Sequence, residues 1–302
     1  MRVLYAGSGW AEVPGKLARV LGASASVATW DRRQPLAEAL RDVDVLLPSN
    51  ARVDEAVLAA APALRLIQQP AAGYEGIDVA AAARRGIPVC NAPGASHVAV
   101  AEAALMLLLL LARRWPAAQA AFARAEIGAP AGVQLAGRIL GVVGPGGSGA
   151  ALASRARALG MQVRLLDRGA CADPGQRRAF FAGLDALSLH CPLTDLTRGL
   201  VDDAAIAALQ PGALLVNVAR GAVVDRAALE RGLAAGHLGG VGLDVFWHEP
   251  WDPSDPLLGH PRVVVTPHVA GSTEEALGAV VEVVVANIAR LVRGEPLAHR
   301  VG

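Results

Sequence analysis

The chain has 302 residues, 53% hydrophobic and 18% charged, with 28 basic against 27 acidic side chains and a net charge of +1. That length predicts two domains, each burying its own core, and the balanced charge excludes a nucleic-acid footprint. The longest apolar run, residues 103–112, is too short to span a bilayer and reads as a buried helix. Cys90, Cys171 and Cys191 form no C-x-x-C pair, which points to reduced thiols in the cytoplasm rather than to a disulfide framework or a zinc site.

Residues 3–6 read as a first strand, not as part of a signal peptide. The strand opens onto Gly7, Ser8 and Gly9, but Pro14 and Gly15 interrupt the helix that a phosphate turn would need. Strands at 26–29, 43–47, 64–68 and 87–90 then alternate with helices at 35–41, 54–60 and 79–85. Such alternation means a parallel sheet covered on both faces. The loop Pro70-Ala71-Ala72-Gly73-Tyr74 follows a strand, so it sits at a carboxyl edge where open α/β sheets bind ligands. Its small residues suit either an anion-binding nest of backbone amides or a plain strand-to-helix connection. Pro48-Ser49-Asn50 is a weaker signal of the same kind.

Residues 98–113 form a long apolar helix that leads from the first domain to the second, and 123–134 is a loop. Then comes GRILGVVGPGGSGAALASRARALGMQVRLLDR, residues 137–168. The apolar run 139–143 is a buried strand. Gly144, Gly146 and Gly149 give G-x-G-x-x-G, an alanine-rich helix runs to Gly160, and a second strand ends at Asp167. A glycine-rich turn with no ligand would need only the glycines; the strand, helix and carboxylate around them make a dinucleotide-binding unit. Bare glycines let the backbone approach a pyrophosphate at the helix N-terminus, and Asp167 would accept from the ribose hydroxyls. Residues 169–178 read as polar and irregular. Strands follow at 184–189, 213–218, 240–245 and 263–265, with helices at 204–209, 225–235 and 273–292.

Arg220, Glu249 and His268 each fall just after one of these strands or in the loop beyond it, on the same rim as the glycine loop. Hydride transfer at a carbon bearing a hydroxyl or carbonyl fits that set. His268 is the natural acid–base. Glu249 would bond the other ring nitrogen, and Arg220 would grip a carboxylate through two parallel bonds. Each has a plain alternative: a loop salt bridge, a solvated acid, a turn cap. His190, His237, His248 and His260 also lie near loops, and His248 adjoins Glu249.

On these segments the chain resembles the D-isomer-specific 2-hydroxyacid dehydrogenases over nearly its full length. The resemblance rests on the glycine stretch, on the long segment LHCPLTDLTRGLVDDAAIAALQPGALLVNVARGAVVDRAALERGLAAGHLGGVGLDVFWHEP, and on TPHVAGST. It implies two doubly wound parallel-sheet α/β domains, a Rossmann cofactor domain (96–269) inserted in a flavodoxin-like substrate domain built from 1–95 and 270–302. It implies that Arg220 binds the substrate carboxylate, that Glu249 partners His268 and that His268 is the acid–base. Backbone amides of Ala72, Gly73 and Tyr74 are expected to hold the carboxylate as well. The cofactor-binding set is expected to be Gly144, Gly146, Ser148, Gly149, Asp167, His190, Ala219 and Asp244, the last near the nicotinamide carboxamide. A homodimer joined through the cofactor domain is also implied.

Three departures stand out. The glycine loop reads GPGGSG, where the family usually has a hydrophobic residue at 145 and Arg-Ile at 147 and 148; the Ser148 hydroxyl partly offsets the lost arginine. The stretch 167–190 is short by a helix and a strand. Val100 stands where Ser or Thr is frequent. Pro48 occupies the place of the arginine used by phosphoglycerate-type members, and no base lies in 68–76, so a small unphosphorylated 2-oxo acid such as glyoxylate, hydroxypyruvate or pyruvate is the expected substrate. Trp247 and Trp251 flank Glu249 as pocket lining or as loop anchors. Asp167 favours NAD, since a carboxylate repels a 2′-phosphate, while Arg168 beside it leaves NADP possible. A phosphite-type oxyanion dehydrogenase and an NAD-sensing binding protein are the alternatives.

Overall fold

A computed structural model describes residues 1–302. In chain order the first stretch gives β1 (Arg2–Tyr5), α1 (Glu12–Leu21), β2 (Ser26–Thr29), α2 (Leu36–Ala39), β3 (Val45–Leu47), α3 (Glu55–Ala59), β4 (Leu66–Gln68), α4 (Val79–Arg84) and β5 (Val89–Cys90). The middle gives α5 (His97–Ala112), α6 (Trp115–Ala123), β6 (Ile139–Val143), α7 (Gly147–Ala158), β7 (Gln162–Leu166), α8 (Arg168–Ala172), α9 (Pro174–Phe181), β8 (Ala186–Leu189), α10 (Asp203–Ala208), β9 (Ala213–Asn217), α11 (Arg226–Ala234), β10 (Leu238–Leu243) and β11 (Val263–Val265). The end gives α12 (Glu274–Arg293) and β12 (Arg300–Val301). The chain divides into two compact units, Met1–Ser96 with Ser272–Gly302, and His97–Gly271. No helix is long and apolar enough to cross a membrane.

The first unit holds a six-stranded sheet in the order β12-β5-β4-β3-β1-β2, parallel except for β12. Because successive side chains point to opposite faces, each strand feeds two cores. Leu4, Leu46, Ile67 and Val89 face one, which is covered by Leu58 of α3 and by Ala81 and Ala82 of α4. Val3, Tyr5, Val45, Leu47, Leu66 and Cys90 face the other, which α1 and α12 close with Val13, Leu17, Val280, Val284 and Ile288. The helix α1 runs through Pro14 and Gly15, against the sequence expectation of a break there. Pro14 is the third helical residue, where its missing N–H is an unpaired group in any case.

The second unit is a parallel six-stranded sheet in the order β11-β10-β9-β8-β6-β7. Leu140, Val142, Leu214 and Val216 face α5 and α7, which bury Leu107, Leu108, Leu111, Leu152 and Ala156 against them. Gly240 and Gly242 let α5 lie close on β10, since a Cβ at either would stand 3.1 Å from Leu111 or Leu107. Val143, Leu187, Leu189, Leu215 and Leu243 face the opposite core. The stretch expected to be irregular after Asp167 forms α8 and α9, each capped by an aspartate, Asp167 and Asp173. Polar composition hid these helices; their buried apolar contribution is Cys171 and the pair Phe180–Phe181, with Ala170 partly buried against the same core. Phe180 and Leu184 fill the space over Gly141, where a Cβ would be 2.4 Å from Leu184 and 2.9 Å from Phe180. Seven aspartate or threonine caps, among them Asp202, Asp225 and Thr273, start the helices of both units.

In the first unit a buried polar network ties the last helix to the sheet. Asn287 Nδ2 donates to Gln68 Oε1 at 2.6 Å and to the Ala298 carbonyl at 2.9 Å, and Asn287 Oδ1 accepts from the Ala298 amide at 2.9 Å. Gln68 and Asn287 are both fully buried. Asn287→Ala strands several buried groups, and the expected loss is about 2–4 kcal/mol of unfolding free energy. Urea unfolding of the purified variant measures it; a loss below about 1 kcal/mol would mean the network adds little.

Candidate active site

Every strand of the second unit ends at the same edge of its sheet, and the candidate residues follow strand ends. Gly144 succeeds β6, Asp167 β7, His190 β8, Arg220 β9, and Asp244 and Glu249 β10, while His268 lies beyond β11. The order β7-β6-β8 makes the chain leave in opposite directions on either side of β6, which opens a crevice at the end of that strand.

At that crevice the backbone is drawn in tightly. Gly144 has φ +83°, and a Cβ there would meet the Cys191 backbone at 2.8 Å. A Cβ at Gly149 would lie 2.3 Å from the Gly144 carbonyl oxygen, so the turn closes directly onto the first residues of α7. Gly146 is the opposite case: a Cβ there would meet nothing within 4 Å, so the backbone presents an open side. Gly146 is also the N-cap of α7 and supplies no side-chain cap, which leaves the first N–H groups of a 12-residue helix directed outward. These features fit a dinucleotide pyrophosphate. Beside the turn, His190 Nδ1 stands 3.1 Å from Ser148 Oγ and His190 Nε2 stands 2.9 Å from Ser188 Oγ. Part of His190 reaches the surface, but its ring is desolvated, and burial pushes its pKa down to about 4. Asp167 is exposed at the end of β7; its Oδ1 caps α8 by accepting from the Ala170 amide at 2.9 Å.

Two loops bring His268 and Glu249 together. His268 Nδ1 and Glu249 Oε2 are 2.7 Å apart. Glu249 Oε1 accepts from the Phe246 amide at 3.0 Å, which fixes the carboxylate from its own loop. Burial alone would push the Glu249 carboxyl up; the His268 bond and charge, the Phe246 amide and the Arg220 charge outweigh it, and the net shift is downward. His268 has φ +53°, the left-handed region that a histidine seldom adopts. The reason lies beneath it. Asp244 is 1% exposed, and its Oδ1 accepts from the Thr266 hydroxyl at 2.6 Å and the Val269 amide at 2.8 Å, while Oδ2 accepts from the Ala270 amide at 2.9 Å. The loop is clamped on both sides of His268. Burial raises the Asp244 pKa, and these three donors pull it back down in part.

Arg220 is held by a neighbour that sequence reading missed. Asn217, fully buried at the end of β9, donates from Nδ2 to the Arg220 carbonyl at 2.9 Å and accepts the Ala219 amide at 3.0 Å. Arg220 Nη1 donates to the Ala219 carbonyl at 2.7 Å. Gly221 follows because the Phe246 carbonyl group lies where a Cβ would go, at 2.2 Å. The Arg220 and Glu249 loops are therefore pressed together at backbone level. Trp247 anchors this contact, its indole donating to the Val224 carbonyl at 2.7 Å, and the rings of Trp251 and Phe246 pack with centroids 4.5 Å apart. Both tryptophans are loop anchors. His248 is exposed, and His260 Nδ1 accepts from the Arg262 amide within its own turn at 3.1 Å. No cluster of His, Cys, Asp or Glu is arranged to hold a metal ion.

In the first unit, the loop 70–74 turns its carbonyls inward. The Ala71 carbonyl accepts from the Ala92 amide at 3.0 Å, Ala72 from Asn91 Nδ2 at 2.8 Å, and Gly73 from Gln69 Nε2 at 2.8 Å. Ala72 and Tyr74 are exposed.

Residues 105–270 match the family model described as D-isomer specific 2-hydroxyacid dehydrogenase, NAD binding domain. A glyoxylate reductase of Thermococcus litoralis is 37% identical over 281 residues, covering 87% of this chain and 85% of that protein. A D-3-phosphoglycerate dehydrogenase of Archaeoglobus fulgidus is 34% identical over 267 residues, and there the match covers 85% of this chain but 51% of the relative. The crystal structure of a Thermus thermophilus protein superposes with a TM-score of 0.89 at 33% identity, covering both chains completely. On its sequence, its two parallel-sheet units and its NAD-binding domain, the chain belongs to the D-isomer-specific 2-hydroxyacid dehydrogenase family of oxidoreductases.

Proposed function

We propose that this protein reduces a small unphosphorylated 2-oxo acid to the 2-hydroxy acid, with His268 as acid–base, Glu249 as its partner and Arg220 as a carboxylate ligand. The observation that carries the reading is the 2.7 Å contact between His268 Nδ1 and Glu249 Oε2. With Nδ1–H committed to the carboxylate, Nε2 is the ring atom that delivers or receives the proton of the substrate oxygen. The carboxylate also stabilises the imidazolium that each oxidation leaves behind. The planar guanidinium of Arg220 suits a carboxylate gripped through two parallel bonds, and its charge polarises an adjacent carbonyl. The amides of Ala72, Gly73 and Tyr74 are further carboxylate ligands, favoured by the inward turn of the carbonyls in that loop.

The second unit is proposed as the cofactor domain and the first as the substrate domain. Gly144, Gly146, Ser148 and Gly149 would hold the pyrophosphate, and Asp167 the ribose through the oxygen that does not cap α8. His190, Ala219 and Asp244 complete the cofactor set, Asp244 also by positioning the His268 loop. When bound, the nicotinamide supplies or accepts the hydride. The Asp167 charge disfavours a 2′-phosphate, which makes NAD the preferred form over NADP. Glyoxylate, hydroxypyruvate and pyruvate are the substrates to try first, and the Thermococcus litoralis relative carries the name glyoxylate reductase.

A homodimer is proposed through an apolar face of the second unit. Met106, Leu109, Leu110, Trp115 and Ala118 from α5 and α6, with Ala129, Pro130 and Arg113, line a groove of about 560 Å³. Phe122 beside it is 83% exposed and Ile127 fully so. Apolar surface gathered this way marks an association site, and the family habit of pairing cofactor domains names a second copy as its occupant.

Loss of NADH absorbance against a panel of 2-oxo acids tests the reaction. His268→Gln is expected to lower kcat roughly 10²–10⁴-fold with little change in NADH affinity; unchanged turnover removes His268 from its role. Glu249→Gln is expected to lower kcat/KM roughly 10²-fold, because the imidazolium loses its anion and the ring its orientation. The Glu249 carboxyl, held below its ordinary range, stabilises the fold above that range and gives this up as pH falls through it. Glu249→Gln should therefore flatten the acid side of the stability curve; an undiminished kcat/KM would separate Glu249 from the proton transfer. Light scattering after size exclusion should give a dimer mass for the wild type and a monomer mass for Phe122→Asp. A monomeric wild type removes the interface.

A further inference from the structure

Between Gly144 and Gly149 the loop carries no basic side chain, and Ser148 supplies its only side-chain hydrogen-bond donor. That hydroxyl is not left to rotate. His190 Nδ1 lies 3.1 Å from it, and His190 Nε2 lies 2.9 Å from the hydroxyl of Ser188. Ser188 is fully buried in β8 between Leu187 and Leu189, both in the apolar core. A buried hydroxyl there needs a partner, and the ring of His190 provides it. Three polar groups thus run in file from the sheet interior to the glycine turn.

The imidazole is desolvated and stays neutral down to about pH 4, so one ring nitrogen donates and the other accepts. Two orders are open. If Nε2–H donates to Ser188, Nδ1 takes the Ser148 proton, and Ser148 turns lone pairs toward the open side of the turn. If Ser188 donates to Nε2, Nδ1–H donates to Ser148 Oγ, and the Ser148 proton points outward. The second order aligns all three donors toward an incoming anion, and aligned bonds strengthen one another. An anion at the turn selects it.

We propose that His190 is a positioning residue that fixes the Ser148 hydroxyl as a donor to the pyrophosphate, in place of a cationic side chain this loop lacks. The inference rests on the dinucleotide reading of the glycine turn. A hydrogen bond to a charged oxygen is the stronger kind, so the hydroxyl has a measurable share of cofactor affinity.

NADH binding measured by calorimetry and by nucleotide fluorescence tests this without turnover. Ser148→Ala is expected to weaken binding roughly tenfold. His190→Phe, which keeps the bulk and removes both bonds, should weaken it by a similar factor. The double variant should be no weaker than either single one, since both remove the same bond. Ser148→Thr should restore most of the affinity. If His190→Phe does not fold, Ser188→Ala takes its place, and its effect should vanish in the Ser148→Ala background. Nitrogen-15 NMR of the NADH complex should show the His190 proton on Nδ1. Single-variant effects that multiply, an unchanged affinity for Ser148→Ala, or a proton on Nε2 in the complex would each overturn the relay while wild-type binding stands. A wild type that does not bind NADH at all would overturn the dinucleotide reading and the relay together.

Discussion

Parallel pairing is the constraint on which the rest of the second unit depends. In a parallel ladder each strand must enter from the same side, so each strand must also leave at the same edge. Pairing of β6 with β7 and β8, of β8 with β9, of β9 with β10 and of β10 with β11 therefore delivers six sequence-distant loops to one rim. An antiparallel sheet would have sent alternate loops to opposite ends. Gly144, His190, Arg220, Glu249 and His268, spread over 125 positions of the chain, become neighbours of one edge by backbone hydrogen bonding alone. The side chains then need only local means of orientation.

Those local means are short contacts that set one loop against another. Asp244 binds three donors from the segment 266–270 and so holds His268 in a left-handed conformation that would otherwise cost about 1–3 kcal/mol. The three bonds are charge-assisted and buried, which is enough to over-determine the strained residue. Gly221 lets the Phe246 carbonyl group into the place of a side chain, and the Glu249 carboxylate is then fixed by the Phe246 amide. Any side chain at 221 would push on the segment that aims Glu249. The 2.7 Å contact of His268 with Glu249 is thus the sum of two independently secured loops.

The fold class was readable because its signal is periodic. Apolar runs of strand length alternated with helical stretches, and that alternation admits little but a parallel sheet covered on both faces. What escaped notice lacked such a signal. The helices α8 and α9 rest on Cys171, Phe180 and Phe181 among polar neighbours, and α1 tolerates Pro14 only because of its place in the first turn. For the site, His268, Glu249 and Arg220 could be singled out because their side chains carry chemistry and each lies near a strand end. Asn217, Thr266 and Gly221 could not. Their importance comes from distances across the fold, 2.9 Å from an amide to a carbonyl or 2.2 Å from a missing Cβ to a backbone carbon. No spacing in the sequence encodes them.

The buried polar residues bear out this division of labour. Removing a polar group from water is unfavourable unless it finds partners, and a chain this apolar could have filled its interior with aliphatic side chains. Apart from Thr197 and the Gln68–Asn287 pair, the fully or nearly fully buried polar side chains sit instead beneath loops at the carboxyl edges: Gln69 and Asn91 under 70–74, Ser188 under His190, Asn217 under Arg220, Asp244 under His268. His268, by contrast, keeps 45% of its side chain exposed. The groups with reactive chemistry face solvent, where they gain little from packing and are free to meet a ligand. The groups that aim them are buried, where hydrogen bonds are strong and directional. Loops at the edge of an open sheet are intrinsically mobile, so orientation has to be supplied from below, by side chains whose burial is tolerated only while the loop above satisfies them.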